Sequence, residues 1–200
     1  MPIARHGAAA ALALLCSAAA PAADLQRAEE LVQGRCFVCH GADGESSTPA
    51  FPRLAGQHAA YIARQLADYQ SGRRRNAAMQ SVVQDLSTAD LGALGLWFES
   101  RPTHAHAVAE TGLAQAGRQV YEQGHAPSGL AACASCHGPA AQGTATLPRL
   151  AGQHAQYIER QLRAFQRRER SNDNAVMHAV ASKLDEQQLQ AVASYLSGLK

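Results

Sequence analysis

Two short cysteine and histidine motifs are the residues of this sequence best suited to chemistry. The motifs are CFVCH at residues 36–40 and CASCH at residues 133–137. In each, two thiols separated by two residues are followed at once by an imidazole. Such C-x-x-C-H strings attach c-type haem, because the thiols add to the porphyrin vinyl groups and the histidine ligates the iron. With two intervening residues, one helical turn presents both sulfurs to the same porphyrin edge.

The same cysteines have three alternative uses. In an exported protein they could form two disulfides, and four thiolates could also bind zinc. Either use leaves both motif histidines without a role. A thioredoxin-type redox pair needs a strand and a βαβ pattern, which surrounds neither motif. The sequence therefore favours two covalently attached haem c groups, held by Cys36, Cys39, Cys133 and Cys136, with His40 and His137 on the two irons.

A long repeat accompanies the two motifs. Residues 52–66 are PRLAGQHAAYIARQL, and residues 148–162 are PRLAGQHAQYIERQL. Since each copy follows one C-x-x-C-H motif, we interpret the repeat as the pocket around one haem, present twice. The chain is therefore predicted to consist of two homologous halves, joined by a linker at residues 101–110 that has no core pattern.

Helices are predicted around each motif. Apolar spacing predicts one helix from Asp24 to Gly34 and another from about Glu110 to Gly124. Asp24 is a candidate cap for the first, and the two glycines are predicted to end the helices. Each half closes with a helix that begins at a capping box. These boxes pair Ser87 with Asp90 and Asp185 with Gln188.

The second axial ligand of each iron is predicted to be methionine. After the initiator the chain contains only Met79 and Met177, which lie 39 and 40 residues beyond the histidine of the preceding motif. The alternatives are methionine as core filling and bis-histidine ligation by His58 and His154, which we interpret as surface or helix-start residues. His178 has no counterpart in the first half. Thioether ligation raises the reduction potential and leaves no site for substrate, which suits an electron carrier without its own substrate site.

Composition and charge narrow the protein class. The 200 residues are 46% apolar, enough for one domain or two small ones, but aromatic residues are only 5%, so the core is predicted to need the haem volume. The formal net charge of +2 is too small to indicate nucleic-acid binding by overall electrostatic attraction. Nearly all cations are arginine, including clusters at 73–75 and at 167, 168 and 170, which are interpreted as a solvated loop or a docking patch for an acidic partner.

The N-terminus has the pattern of a secretory signal peptide. Arg5 precedes the apolar run AAAALALLCSAAA, and small residues follow up to Ala23. The run is short for a bilayer span, so a retained membrane anchor is the less favoured alternative. Residues 1–23 are therefore predicted to be removed together with Cys16. The mature protein is expected to be soluble and exported.

With both motifs, the doubled PRLAGQH segment and the two methionines, the chain closely resembles the di-haem cytochrome c4 family. The resemblance covers essentially the whole chain after the signal peptide. It implies an all-α fold of two tandem class I cytochrome c domains related by pseudo-twofold symmetry, with the haem propionate edges near the domain interface. The corresponding boundaries are residues 1–23 for the signal peptide, 24–104 for the N-terminal domain and 105–200 for the C-terminal domain.

The resemblance also implies roles for residues of the repeat. Pro52 and Pro148 stand where class I cytochromes place a proline whose carbonyl accepts the histidine N–H, although a helix-entry proline is an alternative. Arg53 and Arg149 are candidates to pair with haem propionates, or are solvated. The glycines of both copies, Gly56 and Gly152, permit either a close approach to the porphyrin or a tight turn.

The function implied by the resemblance is that of a periplasmic di-haem cytochrome, often loosely associated with the inner membrane. It would shuttle single electrons between respiratory donors and a terminal oxidase or reductase. Its expected partners are redox proteins: a terminal oxidase, a quinol–cytochrome c oxidoreductase or a dehydrogenase, and not nucleic acid. The alternatives are a cytochrome subunit of a dehydrogenase, as in flavocytochrome-type sulfide oxidation, and a di-haem peroxidase or thiosulfate-oxidising enzyme.

Overall fold

The computed structural model describes residues 22–104, 106 and 112–200. The predicted signal peptide falls outside the described residues except for its last two, which are helical. Glu110, the predicted start of the second helix, and half of the predicted linker also fall outside them. None of the described helices is long and apolar enough to cross a membrane.

The first half is a bundle around a core of aromatic and aliphatic side chains. Helices α1 and α3 pack on α5, which buries Leu94, Trp97 and Phe98 against Leu31 and Val32. Its elements are α1 (Ala22–Leu31), a π-helical turn (Val32–Cys36), α2 (Phe37–His40), α3 (Ala59–Gln70), α4 (Ala77–Val83) and α5 (Thr88–Glu99).

The second half repeats this arrangement. Helix α10 packs against α6 and α8, and the core contains Tyr121, Ile158, Leu189, Val192 and Leu196. The elements are α6 (Gly112–Gln123), a 3-10 turn (Ala126–Ser128), α7 (Ala134–His137), α8 (Ala155–Gln166), α9 (Val176–Ala181) and α10 (Glu186–Ser197). Among residues 22–104, 106 and 112–200 the only β-pairing is one isolated bridge, so the predicted all-α fold is confirmed.

Both predicted capping boxes are present. Ser87 accepts from the Asp90 backbone N–H while the Asp90 carboxylate accepts from the Ser87 N–H, and Asp185 and Gln188 do the same at α10. These reciprocal bonds satisfy N–H groups that a helix start would otherwise leave unpaired. They fix the first turn of α5 and α10, the helices that form the centre of each core.

Two predicted helix boundaries are wrong, and one is confirmed. Asp24 lies inside α1 and does not cap it. Gly34 does not end a helix, because the chain continues through the π-helical turn into α2. Only Arg35 separates Gly34 from the first motif cysteine, which leaves no room for a loop. Gly124 does end α6 with φ +71°, and eight residues follow before the second motif.

Candidate haem-binding sites

The first motif presents two thiols and one buried imidazole from a single helical stretch. Cys36 ends the π-helical turn, and Cys39 and His40 lie in α2. The His40 Nδ1 atom lies 2.9 Å from the Pro52 carbonyl oxygen and donates its proton to it. Burial lowers the pKa of His40, so its neutral form is favoured, with the lone pair on Nε2. Burial also raises the pKa of Cys36 to about 11, which keeps this thiol protonated before attachment.

The second motif has the same geometry. Cys133 precedes α7, which contains Cys136 and His137. The His137 Nδ1 atom lies 3.1 Å from the Pro148 carbonyl oxygen, and burial lowers the pKa of this imidazole as well. The hydrogen bonds predicted between the motif histidines and the two prolines are therefore present. The alternative of a helix-entry proline is wrong, because α3 and α8 begin at Ala59 and Ala155, seven residues after each proline.

The donor set of each half fits a covalently attached haem. All four motif cysteines are free thiols, so the disulfide interpretation is wrong. Within the described part of the chain, no group of three or more His, Cys, Asp or Glu side chains is close enough to hold a metal ion, so the structure gives no support to the zinc interpretation. Each half thus offers two unbonded sulfurs next to one neutral imidazole whose second nitrogen points its lone pair away from the proline. This is the set that haem c attachment requires.

The two methionines occupy equivalent, half-buried positions on helices that pack near the cores. Met79 lies in α4 against the first core, and Met177 lies in α9. The Gln70 side-chain amide donates to the Val83 and Leu86 carbonyls at 2.7 Å, which ties α3 to the end of the first methionine helix. Gln166 makes the corresponding bonds to the end of α9.

The competing histidines are engaged elsewhere. His58 and His154 precede α3 and α8, as predicted, and their Nε2 atoms lie 2.8 and 2.9 Å from carbonyl oxygens of the opposite half, those of Gln142 and Ser46. His178 uses both ring nitrogens, one on the Phe165 carbonyl and one with Arg168. These contacts argue against a histidine as the second axial ligand.

The repeated segment binds its own copy across the interface between the halves. The Gln153 side chain accepts from the Arg53 N–H at 3.0 Å and donates to the Arg53 carbonyl at 2.9 Å. The Gln57 side chain makes the same pair of bonds to Arg149, both at 2.9 Å. Each glutamine is buried. The interface is therefore built from reciprocal contacts, as a pseudo-twofold axis requires.

Two arginines of the predicted exposed clusters are part of this interface. Arg74 is 8% exposed and donates to Tyr157 and Gln161 of the opposite half as well as to Gln65. Arg170 makes the mirror set of bonds to Tyr61, Gln65 and Gln161. The prediction of a solvated loop or docking patch is wrong for these two residues, because each guanidinium donates to oxygens of both halves. Arg73, Arg75, Arg167 and Arg168 remain exposed.

The arginines of the repeat line the same interface and are not solvated. The Arg53 side chain is 14% exposed, with its Nε atom 3.4 Å from Glu45 and a guanidinium nitrogen on the Gly152 carbonyl. The Nε atoms of both arginines are buried, and whereas that of Arg53 faces the Glu45 carboxylate, that of Arg149 has no hydrogen-bond acceptor among the described residues. Burial lowers the pKa of both groups. A buried guanidinium N–H without an acceptor fits an anionic group such as a haem propionate.

The interface glutamines are the functional residues that sequence reasoning missed. A signal for them exists: Gln57 and Gln65 are identical in the second copy of the repeat, as Gln153 and Gln161. An uncharged polar side chain kept in both copies beside buried positions indicates a specific hydrogen bond. The group that each glutamine binds lies in the opposite half, so the neighbouring sequence does not reveal it.

Comparisons with known proteins agree with this geometry. A model of the Cytochrome c family matches residues 25–93 and 114–200. A cytochrome c4 of Thiocapsa roseopersicina is 39% identical over 187 residues, covering 91% of this chain and 96% of that protein. A thiosulfate dehydrogenase electron acceptor of Thiomonas intermedia (strain K12) is 40% identical over 167 residues, covering 81% of this chain and 77% of the relative. The crystal structure of reduced recombinant cytochrome c4 from Pseudomonas stutzeri matches with a TM-score of 0.83 and 34% identity, over 88% of this chain and 98% of that one.

Proposed function

The chain belongs to the cytochrome c4 family of di-haem electron carriers, and from this premise we propose that it shuttles single electrons between respiratory donors and a terminal oxidase or reductase in the periplasm. Its two cytochrome c domains carry two covalently bound haem c groups, and it is an electron carrier and not an enzyme. Haem iron supplies the one-electron chemistry, by changing between its ferric and ferrous states.

We propose a specific role for each side chain of the two sites. The cysteines of each motif hold one haem through thioether bonds, and the motif histidine ligates its iron. The two prolines orient the imidazoles and raise their basicity through the observed hydrogen bonds. The methionines supply a soft, neutral second ligand that favours the ferrous state. The proposed sets are Cys36, Cys39, His40, Pro52 and Met79 in one half and Cys133, Cys136, His137, Pro148 and Met177 in the other.

One observation carries this proposal: the same donor geometry occurs twice. Each motif histidine is buried and donates to a proline carbonyl, at 2.9 Å in one half and 3.1 Å in the other. A single site of this kind would also fit an enzyme with one open iron. Two sites with equivalent methionines and reciprocal contacts fit a relay in which an electron enters at one haem and leaves from the other.

The haem content and ligation of the purified protein test the proposal. We expect a pyridine haemochrome assay to give two covalent haems per chain, and ferric spectra to show the weak far-red band of methionine-bound iron. Both haems should be reversibly reduced without binding carbon monoxide in the ferrous state. A colourless protein, one haem per chain, or a haem that readily takes an external ligand would contradict the proposal.

A second candidate concerns the electron donor. The similarity to a thiosulfate dehydrogenase electron acceptor favours a dehydrogenase of inorganic sulfur compounds as the donor, in place of a quinol–cytochrome c oxidoreductase. Stopped-flow reduction by each purified donor distinguishes them. If the sulfur dehydrogenase is the partner, it should reduce the protein at least tenfold faster than the quinol oxidoreductase at equal concentration. Equal or reversed rates would remove this candidate.

We further propose that residues 1–23 are removed on export and that the domains span residues 24–104 and 105–200. The short apolar run with its small-residue end supports the first proposal. The separation of the two cores supports the second. N-terminal sequencing of protein isolated from the periplasmic fraction should begin near Asp24. A mature protein that retains Met1 would contradict export by signal cleavage.

A further inference from the structure

One peptide group in each half connects the motif histidine to the opposite half. The Pro52 carbonyl and the Arg53 N–H are the two ends of the same planar peptide unit. The carbonyl accepts from His40 Nδ1 at 2.9 Å, and the N–H donates to the Gln153 Oε1 atom at 3.0 Å. His40 is therefore linked to a side chain of the other half through a single conjugated group.

The second half contains the equivalent connection, with the roles of the two halves exchanged. The Pro148 carbonyl accepts from His137 Nδ1 at 3.1 Å, and the adjoining Arg149 N–H donates to the Gln57 Oε1 atom at 2.9 Å. The doubled PRLAGQH segment thus has a physical explanation. Its proline and arginine form the peptide that binds the histidine of their own half, and its glutamine binds the corresponding peptide of the other half.

Each glutamine amide is held in the orientation that this connection requires. Its Nε2 group donates to the arginine carbonyl, so the amide oxygen must face the arginine N–H. The oxygen also accepts from the next backbone N–H in its own half, at 3.1 Å in both copies. Both glutamines are at most 8% exposed, which keeps water from replacing either bond.

A tight turn directs each glutamine toward the opposite half. The Gln57 N–H donates to the Leu54 carbonyl at 3.1 Å, with Gly56 at φ +63° inside the turn. The second copy closes in the same way, with Gly152 at φ +72°. Residues other than glycine rarely adopt this backbone conformation, which accounts for a glycine in both copies. The tight-turn interpretation of the two glycines agrees with this geometry.

Hydrogen bonds in series through a peptide group strengthen one another. An acceptor on the N–H shifts electron density toward the carbonyl oxygen, and a more electron-rich carbonyl draws the imidazole proton more strongly. A more strongly bonded imidazole is a more basic iron ligand and stabilises the ferric state. We propose that Gln57 and Gln153 are cross-domain positioning residues, each setting the basicity of the motif histidine, and so the reduction potential, of the opposite half.

This inference rests on the proposed role of His40 and His137 as iron ligands. Its distinctive consequence is a crossed dependence: the side chain belongs to one domain, and the potential that it sets belongs to the other. Any motion that separates the halves breaks both connections together, and both potentials then rise. The two haems are thereby made sensitive to the integrity of the interface between them.

The test uses the full-length holoprotein with matched substitutions, Gln153→Leu and Gln57→Leu. Spectroelectrochemical titration gives the two potentials, and NMR of the hyperfine-shifted haem methyls assigns each to its half. Gln153→Leu should change the equilibrium constant for reduction of the first haem about two- to tenfold in favour of the ferrous state, the size of one hydrogen bond. The second haem should be unchanged. Gln57→Leu should give the opposite assignment, and the His Nδ1 proton of the affected half should exchange faster with solvent.

Two further variants separate this effect from a loosened interface. Gln65→Leu removes interface hydrogen bonds without touching either peptide, and should leave both potentials near those of the wild type. Gln153→Glu keeps an acceptor oxygen for the Arg53 N–H, so the first potential should stay at or below the wild-type value even if the leucine variant does not fold. Shifts of a variant's own haem, equal shifts of both haems, or no shift would overturn the inference. Because every outcome is compared with wild-type protein that shows two methionine-ligated haems, failure of the inference is distinguishable from failure of the proposed function.

Discussion

The two halves hold their methionines in different ways. In the first half, Asn76 has an extended backbone, caps α4 and accepts from the Met79 N–H at 3.0 Å. In the second half, the Asp173 carboxylate accepts from the Met177 N–H, and two consecutive residues between them, Asn174 and Ala175, adopt positive φ angles of 57° and 66°. The neutral N-cap of α4 thus corresponds, in the second half, to a carboxylate that accepts from the methionine N–H without being the N-cap, which is Ala175 in a strained conformation.

A contact across the interface accompanies this difference. The second methionine segment has one residue more than the first, counted from the motif histidine. Before that segment turns into α9, Asn172 reaches across to the first half and donates to Asp68 at 2.6 Å and to Gln65 at 3.0 Å. Only Asp173 separates Asn172 from the two left-handed residues. The strained backbone of the second half therefore lies next to a contact that joins the two halves.

The approach to the two motifs differs as well. A π-helical turn connects α1 directly with the first motif. The second motif instead follows a loop that is closed by a bridge between His125 and Leu130. Both routes end in the same histidine–proline hydrogen bond. Equal donor geometry with unequal local structure shows that the site is defined by contacts with the repeat and not by the backbone that leads into it. The halves are therefore expected to share ligands but to differ in potential and stability.

Removing the haem from one half should have the largest effect. The double substitution Cys36→Ala/Cys39→Ala eliminates one attachment site, and the half that loses its haem should lose most of its helical structure, because the porphyrin supplies apolar core volume. We expect half the haemochrome signal and roughly half the far-UV circular dichroism. The matched change Cys133→Ala/Cys136→Ala should do the same to the second half. Native helicity in either variant would show that the cores fold without haem.

Replacing one methionine should change one haem only. Met79→Ala removes the proposed thioether ligand of the first iron, so its potential should fall by on the order of 0.1 V while that of the second haem stays largely intact. The far-red band should lose half its intensity. Met177→Ala is the matched change for the second haem. A redox titration unchanged by either substitution would remove that methionine from the coordination shell.

Breaking the interface network should destabilise the whole molecule. Arg74→Ala removes buried hydrogen bonds to Gln65, Tyr157 and Gln161, which should lower the free energy of unfolding by about 2–4 kcal/mol, although Arg170 still donates to both glutamines. The exposed neighbour provides the control, and Arg75→Ala should stay within about 0.5 kcal/mol of the wild type. Urea denaturation followed by haem absorbance measures both. Equal, small effects would mean that the buried arginine contributes no more than a surface residue.

Exchanging the two side chains that accept from the methionine N–H groups should shift the potentials in opposite directions. The Asp173 carboxylate favours the ferric state of the second haem, so Asp173→Asn should raise that potential by on the order of tens of millivolts. Asn76→Asp places the same charge in the first half and should lower the other potential by a similar amount. Both variants keep an acceptor oxygen for the methionine N–H. Potentials that move together, or not at all, would show that these two acceptors do not account for the difference in potential between the halves.

Relieving the strained backbone should have the smallest effect. Ala175 has φ +66°, a conformation that costs an L-residue about 1–2 kcal/mol and glycine little. After the greater flexibility of glycine in the unfolded chain is subtracted, Ala175→Gly should stabilise the protein by about 0.5–1 kcal/mol. In the unstrained helix of the first half, Ala78→Gly should instead destabilise it by about the same amount. Urea denaturation measures both variants: the midpoint should rise above that of the wild type for Ala175→Gly and fall below it for Ala78→Gly.

The predictable features are those determined by nearby residues. The haem motifs, the capping boxes at Ser87 and Asp185 and the end of α6 at Gly124 depend on groups a few positions apart, and the sequence contains all of them. The prediction that Gly34 ends a helix is wrong, because only Arg35 separates it from Cys36 and the helical path continues into the motif. The preference of glycine for helix ends is local, whereas the position of the haem motif decides where the helix can end.

The interface could not be predicted, because it depends on groups far apart in the chain. Arg74 and Arg170 lie in clusters that a sequence alone assigns to a solvated surface, yet both donate to side chains of α3 and of α8. His58 and His154 were correctly predicted at helix starts, yet their partners belong to the opposite half. The repeat shows that the same residues are needed in both halves. The partner of each residue depends on how the two copies face one another, which the sequence does not show.

The ligands of the two irons are the most direct test of this description of the molecule. X-ray absorption at the iron edge of the ferric holoprotein measures the average number of sulfur neighbours per iron. If each iron lies between a motif histidine and a methionine, the spectrum should fit one sulfur and otherwise nitrogen ligands per iron. A fit with no sulfur would indicate bis-histidine ligation, and a fit with half a sulfur would mean that only one of the two halves binds its methionine.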